Sequence, residues 1–417
     1  MRFFQLITLF SFLIVVQVSV AQDFPYVSVD YDFIQKDKNV LLNTDNDLGL
    51  KQFYAKWADL IRRGNKKIEI LHLGDSHVQA DFLTGRIRDR MQQFFPGSEG
   101  ARGLIFPYNL AETNNPGNYQ INSNNNWEVI NGVKQDNFST GIIPAKVVCG
   151  DSVIKLSVNQ NDNLQYSGFD QVELWYACAK EITILKPAYA EVELLNGYGR
   201  VLINLNGLEK ETEIEIFGAS EESKFELYGI GLHNSLPGIT YHALGLNGAT
   251  TEDFVKCEHF ERYLSYVQPD LIIVSLGTND MYDLNVRMKK FTLVYSEFLQ
   301  KIRNVFPNKA LILTTPGDHF IYSYLPNSKL SEASEIIKKL AVKFDAAVWD
   351  FYHIMGGYRS MMGWDMNGLS SKDRIHFTRK GYYLQADLFF NAILKNFEKL
   401  YLNNHYYKQK DSLGTKN

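Results

Sequence analysis

The chain has 417 residues, 45% of them hydrophobic and 13% aromatic, enough apolar side chain to fill more than one core. Its 43 Lys and Arg against 47 Asp and Glu give a formal net charge of −4 with no basic run, which speaks against a nucleic-acid partner. Three cysteines, Cys149, Cys178 and Cys257, form no CxxC pair and so no zinc or dithiol motif.

Residues 1–21 have the build of a secretory signal peptide. Arg2 precedes the apolar run "FFQLITLFSFLIVVQV", and "SVA" at Ser19–Ala21 supplies small residues before Gln22. No Cys follows closely enough for lipid attachment, and no later stretch reaches the roughly 18 apolar residues of a membrane span. The expectation is an exported protein, periplasmic or secreted. In such a chain an odd cysteine count leaves a thiol free; a Cys149–Cys178 bridge requires neighbouring strands, and buried thiols are the favoured reading.

Residues 22–109 then read as α/β. "LGLKQFYAKWADLIRR" has helical spacing, "KIEILHLG" is a strand, and "ADFLTGRIRDRMQQFF" is helical again. Residues 110–235 change texture. An Asn- and Gly-rich stretch is followed by short alternating runs such as "SVIKLSVN", "QVELWYACA", "RVLINLNG" and "ETEIEIFG", which predict an antiparallel β-sandwich. From 236 to 404 strands without alternation ("DLIIVSLG", "ALILTTPG", "AAVWDFY") interleave with helical segments, as in a parallel sheet covered on both faces. The fold class expected is therefore α/β: a three-layer domain with a parallel sheet, interrupted by an inserted sandwich. Residues 405–417 read as a polar, disordered tail.

Ligands of an open parallel sheet bind beyond the carboxyl ends of its strands. Polar groups predicted there are Ser76 after "LHLGD", Gly248 in "GLNGAT", Asn279 in "LGTND", and Asp373 and His376 in "KDRIHFT". A serine hydroxyl needs an adjacent base, which a histidine near neutrality supplies, and a carboxylate three residues before that histidine can reach its Nδ1. The backbone N–H groups of Ser76 and Gly248 and the amide of Asn279 could receive an oxyanion. Asp75 and Asp280 read as turn residues acting through their side-chain oxygens, and His77 is expected to point away from the nucleophile. His72, His242 and His319 lack metal-ligand spacing; without HExxH, GxGxxG after a strand, or a Walker sequence, neither a metal nor another cofactor is expected.

"GDSH", "NGA", "GTND" and "DRIH" occur in the order of the conserved blocks of the SGNH (GDSL-type) hydrolase superfamily, which this chain resembles. The resemblance implies Ser76 as nucleophile, Gly248 and Asn279 as oxyanion donors with the Ser76 N–H, and Asp373 with His376 as the dyad. His77 replaces the usual Leu, and the first two blocks lie unusually far apart. With "LHLGDSHVQAD" and "LPGITYHALGLNGAT", these features resemble the peptidoglycan O-acetylesterases of Gram-negative bacteria, which carry a carbohydrate-binding-like sandwich at that point. The implied function is removal of O-acetyl groups from a polysaccharide, peptidoglycan foremost, as substrate partner. An O-acetyltransferase, an esterase of another glycan or small acyl ester, and an inactive carbohydrate-binding protein remain alternatives. The insert is expected to leave and rejoin the α/β domain near the active-site rim, where Trp127 and Trp175 could stack on sugars, although an aromatic on a strand more often belongs to the core. The sequence gives no oligomeric state.

Overall fold

The computed structural model describes residues 26–402 except 46, 162–167, 189–190 and 195–198. The expected signal peptide and C-terminal tail lie outside the described residues.

Six strands make the first sheet: β1 (Leu41–Leu42), β2 (Lys67–Gly74), β3 (Gly238–Gly245), β4 (Leu271–Ser275), β5 (Ala310–Thr314) and β6 (Ala347–Trp349). Their order is β1-β6-β5-β4-β2-β3, parallel throughout except at β1. Alternate residues serve two cores, as the two-residue repeat of a strand requires. Ile68, Ile70, Ile273 and Ile312 pack with the helices Leu48–Arg63, Phe82–Gln92 and Arg379–Phe397 on one face. Leu71, Leu73, Val274 and Leu313 face the opposite core with Phe260–Val267, Met288–Val305 and Leu330–Lys343. Each fully buried Leu or Ile contributes roughly 1.5–3 kcal/mol. The helix before β2 has local signals at both ends. Asp47 accepts the N–H of Leu50 at 2.8 Å, and Gly64 turns out of the helix at φ +63°.

The expected architecture is the observed one: a mostly parallel sheet between helices, accompanied by separate antiparallel sheets. The larger antiparallel sheet centres on Phe169–Ala177 and Phe225–His233, and a smaller one holds Tyr119–Asn122, Val153–Gln160, Thr183–Lys186 and Glu211–Phe217. Val172, Leu174, Ile214 and Ile216 fill the space between them within the same buried cluster as Leu71 and Leu73. Gly103–Ile105, which precedes residue 110, already pairs with Phe225–His233.

The insert does not rejoin the α/β domain at the rim. It leaves near it, where Tyr108 donates its hydroxyl to Gly245 O at 2.5 Å, but returns at Gly238, paired with Lys67 at the opposite end of β2. The sandwich therefore runs the length of edge strand β3. Gly238 sits at φ +137°, and a Cβ there would lie 1.8 Å from Glu99 O, so only glycine fits this return. All three cysteines are free. Cys149 and Cys178 flank opposite sides of Phe225–His233 (Phe225 pairs with Cys149, Glu226 with Ala177). Two inter-strand spacings, about 9–10 Å, exceed the reach of a disulfide.

Candidate active site

Strand register assembles the rim. Gly74 at the end of β2 pairs with Gly245 of β3 on one side and Ser275 of β4 on the other, so the three loops that follow emerge together. After Gly74 the chain turns at Asp75 into the short helix Ser76–Gln79. The Asp75 carboxylate accepts the N–H of His77 at 3.0 Å, and its carbonyl accepts those of Val78 and Gln79. Ser76 opens the helix, so its N–H has no intrahelical acceptor.

From a loop 300 residues away His376 reaches this turn: Ser76 Oγ lies 2.8 Å from His376 Nε2. His376 Nδ1 is 2.7 Å from Asp373 Oδ2. The other Asp373 oxygen accepts the backbone N–H groups of Ile375 at 2.9 Å and His376 at 3.0 Å, which locks the carboxylate's direction. Burial acts to raise the Asp373 pKa, but the His376 hydrogen bond and these two N–H groups hold it well below the usual carboxylate range. Its bond to Asp373 correspondingly raises the pKa of His376 against the effect of burial. The His376 and Asp373 side chains keep 36% and 43% of their exposure, so the dyad stands open at the rim. A neutral imidazole donating from Nδ1 leaves Nε2 to accept the Ser76 proton.

Gly248 lies in the turn after β3 at φ +78°, where Ala249 N–H bonds Leu246 O and leaves the Gly248 N–H outside the turn's own hydrogen bond. A Cβ on Gly248 would come 3.2 Å from Val133, a residue of the insert. The Asn279 amide donates one proton to Ala249 O at 2.9 Å, which orients the amide and leaves its second proton for a ligand. Asp280 is partly buried and accepts the Thr251 N–H at 3.1 Å, bracing the start of the neighbouring helix Thr251–Val255 rather than its own turn. Burial pushes the Asp75 carboxyl up to about 6 and that of Asp280 up to about 7.

His77 does not point into empty space. Its ring lies 5.2 Å from that of His376 and its Nδ1 2.9 Å from Tyr382 OH, so it backs the histidine of the dyad. Burial and the His376 charge lower its pKa well below the ordinary value. The three histidines weighed as metal ligands are held apart: His72 between Tyr241 OH and Ser275 Oγ, His242 between Glu69 and Leu104 N–H, His319 beside Asn327. Among the described residues no group of three His, Cys, Asp or Glu side chains is placed to hold a metal ion.

Two supporting residues escaped the sequence reading although both lie in "DSHVQAD". Gln79, buried, accepts the Asn247 N–H at 2.7 Å and donates to Asn114 O at 2.9 Å, tying the Gly248 loop to the helix that bears Ser76. Asp81, in left-handed backbone at φ +54°, receives the buried Arg88 at 2.5 Å and Arg102 at 3.0 Å, and also Asn118 and Thr84. Burial opposes ionisation there, but the two guanidiniums bring the Asp81 carboxyl down to about 2. A non-glycine residue at positive φ leaves no mark in composition or periodicity. Of the two tryptophans, Trp175 offers no sugar platform and Trp127 is partly buried. Trp175 is 1% exposed and stacks on Tyr263 at 5.4 Å, and Trp127 packs against the sandwich core.

Residues 226–389 match the family model described as GDSL-like Lipase/Acylhydrolase. No curated protein matches the chain. Among solved structures, a peptidoglycan O-acetylesterase superposes with a TM-score of 0.70 at 21% identity, over 84% of this chain and 96% of its own, which is a likeness of fold. A catalytic mutant of an acetylxylan esterase from Geobacillus stearothermophilus overlaps 37% of this chain and 73% of its own at 19% identity and a TM-score of 0.31. A putative acylhydrolase from Bacteroides fragilis NCTC 9343 covers 38% and 76% at 19% identity, also at 0.31.

Proposed function

We propose that this chain, which carries a GDSL-like lipase/acylhydrolase domain of the carboxylic ester hydrolases at residues 226–389, is an exported serine esterase. Its substrate is an O-acetylated polysaccharide, peptidoglycan foremost. The observation that carries the reading is the hydrogen-bonded series Ser76–His376–Asp373 standing open at the strand ends. The solved peptidoglycan O-acetylesterase of similar fold favours that glycan.

In the first half-reaction Ser76 Oγ attacks the ester carbonyl carbon while His376 Nε2 takes the hydroxyl proton. Asp373 stabilises the imidazolium and fixes its tautomer. The negative charge that develops on the carbonyl oxygen meets the N–H groups of Ser76 and Gly248 and the Asn279 amide, preorganised donors that need not reorient. Collapse breaks the bond to the sugar oxygen, which leaves with the proton from His376. Water, deprotonated by the same histidine, then attacks the acetyl-Ser76 ester; acetate departs and Ser76 recovers its proton.

The test is acetate release from O-acetylated peptidoglycan, acetylated xylan and p-nitrophenyl esters of increasing chain length. Turnover of the acetylated glycans and of the shortest ester, abolished in Ser76→Ala, is the expected result. A wild-type protein with no Ser76-dependent turnover of any ester overturns the reading.

A further inference from the structure

A polymer beside Ser76 needs an exposed grip; of the two insert tryptophans Trp175 is buried and Trp127 is partly buried against the sandwich core. A ribbon outside the insert has the required features. Phe320–Ile321 pairs with Leu325–Pro326, and the three-residue tip Tyr322-Ser323-Tyr324 projects two tyrosines that are 57% and 72% exposed. Their rings lie 6.3 Å apart with planes 29° from parallel, and Tyr282 meets Tyr322 edge-on at 6.1 Å. Large aromatic rings held side by side in water present a surface that a protein normally covers.

The tip is also strained: Tyr322 has φ +53° and Ser323 φ +64°. A bulky residue in left-handed backbone is uncommon and persists only where surrounding contacts impose it. Those contacts lead to the catalytic loops. The N–H of Phe320 donates to Arg374 O at 2.9 Å, and the Arg374 guanidinium donates to Ser323 O at 3.2 Å. Arg374 stands between Asp373 and His376 and is itself left-handed at φ +54°, braced by Asp365 at 2.9 Å. On the other side the N–H of Tyr322 donates to Tyr282 OH at 3.2 Å. Asn327, 2% exposed, donates to Met281 O at 2.8 Å. Tyr282 and Met281 belong to the loop that carries Asn279. The ribbon is thus fastened to both the histidine loop and the oxyanion loop, and its position is fixed relative to each.

We infer that the Tyr322–Tyr324 ribbon is a sugar-stacking platform that holds a glycan chain beside Ser76. Tyrosine suits this occupant: the ring face packs on the C–H face of a pyranose while the hydroxyl edge remains in water. This inference rests on the esterase reading for its substrate class, but its test is separable. Binding of insoluble O-acetylated peptidoglycan and of soluble acetylated xylan is measured with full-length Ser76→Ala protein, which cannot turn them over, with and without Tyr322→Ala or Tyr324→Ala. Turnover of p-nitrophenyl acetate is measured for the same tyrosine variants with Ser76 intact.

Expected is a loss of glycan binding of roughly tenfold for each substitution, a stacked aromatic contact's worth. Turnover of p-nitrophenyl acetate should stay unchanged, and Tyr322→Phe should keep full binding. Tyr324 has ordinary backbone, so Tyr324→Ala separates loss of the ring from disturbance of the strained tip. Unchanged glycan binding in both alanine variants, or an equal loss on p-nitrophenyl acetate, overturns the platform. Absence of Ser76-dependent p-nitrophenyl acetate turnover in the wild type overturns the esterase reading instead.

Discussion

Two of this protein's serine–histidine pairs begin in the same stretch of chain, His72 in the strand that leads to Ser76, and differ in character. At the rim, Ser76 Oγ is 2.8 Å from His376, whose other nitrogen meets the Asp373 carboxylate. Inside the sheet, Ser275 Oγ is 2.7 Å from His72, whose other nitrogen meets only the phenol of Tyr241. Burial pushes the His72 pKa down to about 3, whereas Asp373 raises that of His376. An imidazole that holds a proton only near pH 3 is too weak a base to activate a hydroxyl, and no substrate can reach it. The pair distance alone therefore does not distinguish the two. Of these two pairs, only the one at the rim has a partner carboxylate and an open face.

The largest effect that would sharpen this contrast is loss of the rim pair. Ser76→Ala and His376→Ala are each expected to reduce ester turnover by at least about 10³-fold, and the double variant should be little worse, because the two act as a unit. Strictly multiplicative losses, measured as kcat/KM on p-nitrophenyl acetate, would break the pairing.

Next in size is Asn279→Ala. Its amide, oriented by Ala249 O, should matter only when charge develops on the substrate, so kcat is expected to fall by about 10²–10³ with KM nearly constant. A change confined to KM would place Asn279 in ground-state binding.

A smaller effect concerns pH. Because Asp373 raises the His376 pKa, the rise of kcat/KM with pH should run above the ordinary histidine value of about 6.5. Asp373→Asn removes the main stabiliser of the imidazolium, so the midpoint should move to lower pH while the plateau drops. A midpoint that stays put in Asp373→Asn would show that the carboxylate does not tune the base.

The smallest effect on catalysis should come from the interior pair. Ser275→Ala removes the partner of His72 Nε2 and of the Thr314 hydroxyl, which donates to Ser275 at 2.8 Å. It should cost about 1–3 kcal/mol of stability by urea unfolding, with turnover of the remaining folded protein unchanged. A turnover defect larger than the stability loss explains would make the interior pair part of the active machinery.

The sequence was informative wherever the information is local. "LGLKQFYAKWADLIRR" and "KIEILHLG" occupy the helix Leu48–Arg63 and the strand Lys67–Gly74 because periodicity and caps act within a few residues. The stretch around "FVKCEHFERYLSYVQ" divides between two helices, Thr251–Val255 and Phe260–Val267. Strand β3 was not legible. Both faces of "GITYHALG" are buried, yet Thr240 and His242 interrupt the apolar run by which its parallel neighbours are recognised. The tyrosine ribbon left no pattern either, since its strands are two residues long.

What the sequence determined by itself is the alternation of helix and strand, the β-rich middle, the placing of Ser76, Gly248 and Asn279 after strand ends, and that of Asp373 and His376 just before the last helix. These follow from side-chain period and turn chemistry, which the chain carries at every position. Tertiary structure alone decided that a loop 300 residues away closes to 2.8 Å on Ser76, that the insert returns at the far end of β3, and that Trp175 is interior while Tyr322 and Tyr324 are not. Such facts depend on strand order and on which surfaces find a partner, and no window of the sequence contains both partners at once.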